Sequence, residues 1–132
     1  MAKAKNSESK KTKKILLVED DPFLVDIYVT KLKEHNFDLT IATDGKDAFA
    51  KIKEEKPDLV LLDIVLPKLD GMEILKKVKN DPSLGEVKIV VLSNLSQNYE
   101  ISKALELGAT SYLIKSHYSP SEVIREITNL LT

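Results

Sequence analysis

The chain has 132 residues, of which 42% are hydrophobic and 31% charged, as expected for one globular domain with a single core. It contains no cysteine, which excludes disulfides, thiolate zinc sites and cysteine nucleophiles. No apolar stretch approaches the roughly 18 residues needed to span a bilayer, and the N-terminus lacks the apolar segment of a signal peptide. We therefore expect a cytoplasmic protein without membrane insertion.

The net charge of -1 conceals a basic N-terminus. Residues 1–14 carry a net charge of +5, and the rest of the chain carries -6. Residues 1–12 have no apolar periodicity, which predicts a disordered Lys-rich tail before a folded domain at 13–132. Lysine clusters attract phosphate, but this tail has no Arg and no aromatic residue to stack on bases. We therefore do not expect it to bind nucleic acid.

From Lys13 onward, short apolar runs alternate with stretches of helical periodicity. The five predicted strands are, in chain order, residues 13–18, 37–41, 59–62, 87–92 and 111–114. Near-continuous apolar runs are typical of strands that are covered on both faces of a parallel sheet. The second strand differs, because it alternates strictly between apolar and polar residues. This alternation predicts a position at the sheet edge.

A helix is predicted after each strand, and capping residues mark where each begins or ends. The first helix has an apolar stripe of Leu24, Ile27, Tyr28 and Leu32. Gly71, in the third helix, is interpreted as a turn residue. The first and second helices begin at Asp21-Pro22 and Asp44-Gly45. The third covers about 69–79, and the fourth covers about 98–107 and ends at Gly108. The fifth begins at the capping box Ser119-Pro120-Ser121-Glu122.

Five strand–helix units with right-handed crossovers predict an α/β fold of the flavodoxin-like (βα)5 type, a doubly wound parallel sheet with helices on both faces. The edge position of the second strand favours the strand order 2-1-3-4-5. In such sheets, ligands bind at the carboxyl ends of the strands, beside the point where the strand order reverses. The first and third strands flank that point.

Polar side chains follow four of the predicted strands. Glu19 and Asp20 follow the first, Asp63 the third, Ser93 the fourth and Lys115 the fifth. Three carboxylates at one sheet edge repel one another unless a cation lies between them. An all-oxygen ligand set without His or Cys suits a hard divalent ion, so Mg²⁺ is the expected cofactor.

A carboxylate can act as a nucleophile and form an acyl phosphate. The incoming phosphoryl oxygens then require a basic side chain and a hydroxyl donor beside the metal. Lys115 and Ser93 supply these two groups. Asp63 is therefore interpreted as the phosphoryl acceptor.

These segments, in this order and spacing, resemble the receiver domains of bacterial two-component response regulators. The resemblance covers about residues 13–131. It implies a signalling protein that is not an enzyme beyond catalysing its own phosphorylation and slow dephosphorylation. Asp63 would accept a phosphoryl group from a phosphohistidine of a sensor histidine kinase or histidine phosphotransfer protein. The matching segments are 15–21 (ILLVEDD), 61–67 (LLDIVLP), 70–73 (DGME), 91–93 (VLS) and 108–115 (GATSYLIK).

The resemblance also implies individual metal ligands. Asp20 would bind Mg²⁺ directly and Glu19 through water, with Asp63 and the backbone carbonyl of Val65 as further ligands. Ser93 and Tyr112 would form the conformational switch, the hydroxyl moving toward the phosphoryl group and the ring turning inward. Lys115 would pair with the phosphoryl group.

Because the chain ends just after the fifth helix, we expect a stand-alone receiver that acts through a partner. The expected surface is the face formed by the fourth helix, the fifth strand and the fifth helix. It would bind a downstream protein or a second copy of the chain.

Two departures from the family pattern are informative. Most receivers have a cis proline after the Lys, whereas Ser116 follows Lys115 here. A cis bond to Ser costs about 3 kcal/mol, so we expect this peptide to be trans. Val65 and Leu95 occupy the positions that tune dephosphorylation, and neither can orient an attacking water. The resemblance therefore predicts slow self-hydrolysis.

Three alternatives stay open. A pseudo-receiver would act by binding alone, although every expected catalytic group is present. An Asp-nucleophile phosphohydrolase would usually carry a second Asp two residues after the first, where this chain has Val65. A flavin mononucleotide binder of this topology needs a phosphate-cradling loop after the first strand, and Glu19-Asp20-Asp21 would repel that phosphate.

Overall fold

The structure, a computed structural model, describes residues 12–132. The predicted tail therefore lies outside the described residues, apart from Thr12. Five strands alternate with five α-helices. The strands are β1 (Lys14–Val18), β2 (Asp38–Ala42), β3 (Leu59–Leu62), β4 (Lys88–Ser93) and β5 (Ser111–Ile114). The helices are α1 (Pro22–Lys33), α2 (Gly45–Glu55), α3 (Gly71–Lys79), α4 (Asn98–Glu106) and α5 (Pro120–Leu131), with short 3-10 helices at Pro82–Leu84 and Lys115–His117.

The strands form one parallel sheet in the order β2-β1-β3-β4-β5. This confirms the flavodoxin-like α/β fold and the strand order predicted from the sequence. Strand β2 lies at the edge, and three of its five residues are only half-buried, as its alternating sequence indicated. Within residues 12–132, no helix has both the length and the hydrophobicity to cross a bilayer.

The sheet separates two apolar cores. Successive residues of a strand point to opposite faces, so each central strand contributes to both. Leu16 and Val18 of β1 belong to the core that contains residues of α2, α3 and α4. Ile15 and Leu17 belong to the core that contains residues of α1 and α5. Because helices cover both faces, the central strands are apolar at nearly every position.

The capping residues start the helices largely where predicted, with one difference. Asp21, Asp44 and Ser119 each accept a hydrogen bond from a backbone N–H of the helix that follows. Helix α3 begins at Gly71, two residues later than predicted. Asp70 has an extended backbone (φ -77°, ψ 166°), and its carboxylate accepts from the N–H of Glu73. Asp70 is therefore the N-cap, and the helix cannot start before it.

Gly71 is more than the turn residue predicted from the sequence. It is the first residue of α3, and its N–H donates to the carbonyl of Ile64 at 2.8 Å. A Cβ at this position would lie 2.7 Å from the Cα of Ile64 and 2.8 Å from the carbonyl oxygen of Asp63. Only glycine lets α3 approach the chain leaving β3 this closely.

We predict that Gly71→Ala lowers the free energy of unfolding by about 2 kcal/mol, because the added methyl meets backbone atoms that cannot move independently. Gly85→Ala is the matched control. Its Cβ would lie 3.5 Å from the carbonyl oxygen of Pro82, at a φ of -63° that alanine adopts freely. This control should leave stability unchanged or raise it by up to about 1 kcal/mol. Urea unfolding of both variants measures the difference, and equal effects would contradict the packing argument.

Candidate functional site

The candidate site lies at the carboxyl edge of the sheet, where β1 and β3 end side by side. Val18 pairs with Leu62, so the next residues, Glu19 and Asp63, leave the sheet at the same level. Both stay tied to the sheet. The N–H of Asp63 donates to the carbonyl of Val18, and the N–H of Glu19 donates to that of Ala42, each at 3.1 Å. The backbone therefore holds both carboxylates in place.

Three carboxylates converge here, as the sequence predicted. Glu19, Asp20 and Asp63 each place a carboxylate oxygen within 4.8 Å of the other two. Glu19 and Asp63 are 2% and 7% exposed, whereas Asp20 is exposed to solvent. Mg²⁺ prefers oxygen ligands and usually keeps several of its waters. Carboxylates at this spacing, with one side open to water, suit that preference. The residues present therefore fit a magnesium site.

Lys115 supplies a positive charge within this cluster. Its Nζ lies 2.7 Å from Oε1 of Glu19 and 3.0 Å from Oδ2 of Asp63. The side chain of Lys115 is 13% exposed, so the ammonium is largely removed from water. It bridges two carboxylates that would otherwise be buried without a counter-charge.

Burial and hydrogen bonding have opposing effects on the pKa values of Glu19 and Lys115. Burial raises the pKa of Glu19 above its usual range, although hydrogen bonds from Lys115 and from the N–H of Asp21 oppose the shift. Burial alone would lower the pKa of Lys115. The hydrogen bonds to Glu19 and Asp63 outweigh it, and the pKa of Lys115 is raised. The ammonium therefore stays protonated at neutral pH.

Ser93 and Tyr112 meet at the backbone of Leu95. The Oγ of Ser93, which is fully buried, accepts a hydrogen bond from the N–H of Leu95 at 3.2 Å. The hydroxyl of Tyr112 donates to the carbonyl of the same residue at 2.7 Å. Within residues 12–132, no hydrogen bond joins either hydroxyl to the acidic cluster. The two predicted switch residues are thus linked to each other through Leu95.

Val65 and Leu95 line the same cleft beside Asp63. The N–H of Val65 donates to Oδ1 of Asp63 at 3.3 Å. Its side chain is 61% exposed and lines a cleft of about 370 Å³ together with Leu95. Both positions predicted to tune dephosphorylation therefore border the same space, and neither places a polar side chain there.

The loop after Asp63 is held by contacts that the sequence pattern did not predict. Residues 64–70 pass between the first residues of two helices. A Cβ on Gly45 would overlap the carbonyl oxygen of Leu69, just as one on Gly71 would meet Ile64. The available signal was the Asp-Gly pair that opens both α2 and α3. Each Asp caps its helix, and each Gly permits the close approach.

The peptide between Lys115 and Ser116 is trans, as expected, since the structure contains no cis peptide bond between residues 12 and 132. The residues after Lys115 form one turn of 3-10 helix, Lys115–His117, before α5 begins. The chain therefore reaches α5 without the proline that most receivers have here.

A five-stranded parallel sheet with an acidic cluster, a lysine and a hydroxyl at its carboxyl edge defines the class of protein. The family model described as the response regulator receiver domain matches residues 15–128. The chain belongs to the response regulator receiver domain family, the phosphoacceptor domains of two-component signalling. The resemblance identified from the sequence motifs is thus confirmed.

Curated and solved relatives agree with this assignment. The chain is 36% identical over 119 residues to the alkaline phosphatase synthesis transcriptional regulatory protein PhoP of Bacillus subtilis. The match covers 90% of this chain and 48% of PhoP, so the chain spans about half the length of that relative. The BeF3-activated N-terminal receiver domain of Klebsiella pneumoniae RstA is 34% identical with a TM-score of 0.80, covering 89% of this chain and 97% of that one. The Francisella response regulator 1452 receiver domain is 29% identical with a TM-score of 0.82, covering 91% and 97%.

We predict that Lys115→Met lowers the free energy of unfolding by about 3 kcal/mol without metal, because it leaves Glu19 and Asp63 buried without a counter-charge. Adding Mg²⁺ should restore much of this loss, since an ion that binds only the folded state stabilises it. Chemical unfolding with and without Mg²⁺ measures both effects.

Lys76→Met is the control for this prediction. Lys76 forms an exposed pair with Glu73 at 3.9 Å, and such surface pairs contribute less than about 1 kcal/mol. A loss in Lys115→Met that Mg²⁺ does not reduce would contradict the electrostatic explanation.

Proposed function

We propose that the chain receives a phosphoryl group on Asp63, with Mg²⁺ as cofactor, from a phosphohistidine of a sensor histidine kinase or histidine phosphotransfer protein. One observation carries the proposal. The Asp63 carboxylate is buried beside a lysine ammonium and two further carboxylates, at the sheet edge where this fold binds its ligands. The proposed domain spans residues 13–132 and acts in the cytoplasm.

The proposed reaction is a phosphoryl transfer between two side chains. A carboxylate oxygen of Asp63 attacks phosphorus, the phosphorus–nitrogen bond to the donor imidazole breaks, and the released imidazole nitrogen takes up a proton. Lys115 pairs with the phosphoryl oxygens, and the hydroxyl of Ser93 donates to them. Mg²⁺, held by Glu19, Asp20, Asp63 and the carbonyl of Val65, would neutralise charge on the same oxygens.

The contacts around Leu95 suggest how phosphorylation would reach the surface. If the Ser93 hydroxyl turns toward the phosphoryl group, the N–H of Leu95 loses its acceptor. Leu95 also provides the carbonyl that Tyr112 binds, so the loop and the ring are expected to rearrange together.

This change would reach the face formed by α4, β5 and α5. We propose that this face binds a downstream protein or a second copy of the chain.

The decisive test is the mass of the intact protein after incubation with Mg²⁺ and acetyl phosphate. We expect one added phosphoryl group on wild type and none on Asp63→Asn, because the amide is not a nucleophile for this reaction. Asp26→Asn, an exposed acid on α1, is the control and should be modified like wild type. A wild-type protein that binds Mg²⁺ but gains no phosphoryl group would instead be a pseudo-receiver that acts by binding alone.

The lifetime of the phosphoryl group provides a second test. We expect slow decay, because Val65 and Leu95 present no polar group to orient a water. Val65→Asn should accelerate decay severalfold, short of the roughly 100-fold that a well-placed general base supplies. Leu105→Asn introduces the same side chain on α4 away from the site and should not change the rate. Loss of the wild-type phosphoryl group within seconds would contradict the prediction.

A further inference from the structure

Tyr28 has a buried hydroxyl that plays no part in the site as described so far. The residue lies on α1, is 3% exposed and belongs to the apolar core shared with α5. Within residues 12–132, no hydrogen bond involves its hydroxyl, whereas the hydroxyl of Tyr112 binds the carbonyl of Leu95. A buried hydroxyl without a partner is costly, so such groups are normally satisfied by protein or by ordered water. Its presence therefore requires an explanation.

Tyr28 lines a cleft beside the acceptor site. The cleft has a volume of about 260 Å³, and Asn94, Lys115 and Ser116 contribute polar groups to it. Its other walls are Leu24, Tyr118 and Pro120. A water molecule occupies about 30 Å³ and needs two to four polar partners to become ordered. The cleft has room for water, and its polar residues can bind it.

Lys115 brings an unused donor to the same cleft. A lysine ammonium has three hydrogens, and two of them are directed at Oε1 of Glu19 and Oδ2 of Asp63. The third has no acceptor among the described residues. Lys115 is also close enough to affect Tyr28 electrostatically. Burial raises the pKa of the Tyr28 hydroxyl, and the positive charge of Lys115 opposes this shift. Lys115, whose ammonium has a free hydrogen, and Tyr28, whose hydroxyl has no partner among residues 12–132, thus line one cleft.

We propose that Tyr28 is a positioning residue for Lys115, acting through an ordered water in this cleft. The water oxygen accepts two hydrogen bonds, one from the third hydrogen of the ammonium and one from the hydroxyl of Tyr28. This contact orients the ammonium so that its other two hydrogens face the carboxylates and, after transfer, the phosphoryl group. The expected effect on phosphorylation rests on the proposed function, whereas the water-mediated contact between Lys115 and Tyr28 does not.

The test compares Tyr28→Phe with Tyr99→Phe, which removes one hydroxyl from a tyrosine that is 70% exposed on α4. The readout is the rate at which the Lys115 ammonium hydrogens exchange with water, followed by nitrogen-15 NMR and assigned by the loss of the signal in Lys115→Arg. Tyr28→Phe should accelerate exchange by about tenfold, because hydrogen bonds to a charged group are worth at least that factor. Tyr99→Phe should exchange like wild type.

Two further measurements separate positioning from packing. Tyr28→Phe should lower the midpoint of thermal unfolding by about 3 °C if the hydroxyl is hydrogen-bonded, and should raise it if the hydroxyl is unpaired. It should also slow phosphorylation by acetyl phosphate by about tenfold. Unchanged exchange, or a raised midpoint, would overturn the inference.

The outcomes also distinguish this inference from the proposed function. If wild type accepts no phosphoryl group, the proposed function fails, while exchange in the unphosphorylated protein still decides the role of Tyr28. If wild type is phosphorylated and Tyr28→Phe behaves like wild type in every measurement, only the inference about Tyr28 fails.

Discussion

The ion pair between Lys115 and the two buried acids, Glu19 and Asp63, is the interaction on which the site depends. Two carboxylates that leave adjacent strands at the same level cannot both stay ionised in a buried environment without a cation. Lys115 meets this requirement with contacts of 2.7 and 3.0 Å. The residues of the cluster therefore organise one another, and the same lysine is well placed to bind the phosphoryl oxygens of the proposed reaction.

The rest of the fold keeps that ion pair in place. Parallel pairing of β1 with β3 sets the two acids side by side, and the two apolar cores prevent the strands from shifting. Gly45 and Gly71 allow the loop after Asp63 to pass between two helix starts at backbone contact distance. On the other side, Leu95 connects Ser93 with Tyr112. Strand pairing and these close backbone contacts therefore hold Asp63 in position.

Several residues near Asp63 lie outside the ion pair and bear on the proposed reaction. Val65 and Leu95 place apolar side chains in one neighbouring cleft, and Tyr28 lines a second cleft together with Lys115. Between Lys115 and α5 the chain uses a trans peptide to Ser116. Under the proposed function, these residues affect access of water and the freedom of the lysine, and therefore the rate and lifetime of phosphorylation.

The sequence by itself determined the element order, the sheet edge and the set of charged residues, because apolar periodicity and capping are local properties. Tertiary structure alone decided which atoms meet. Lys115 follows Asp63 by 52 residues, yet its Nζ lies 3.0 Å from Oδ2. The sequence pattern did not predict that Ser93 and Tyr112 both bind the backbone of Leu95. It also did not predict that Tyr28 and Lys115 line one cleft. Such contacts depend on how side chains from distant elements pack together, and local sequence carries no record of that packing.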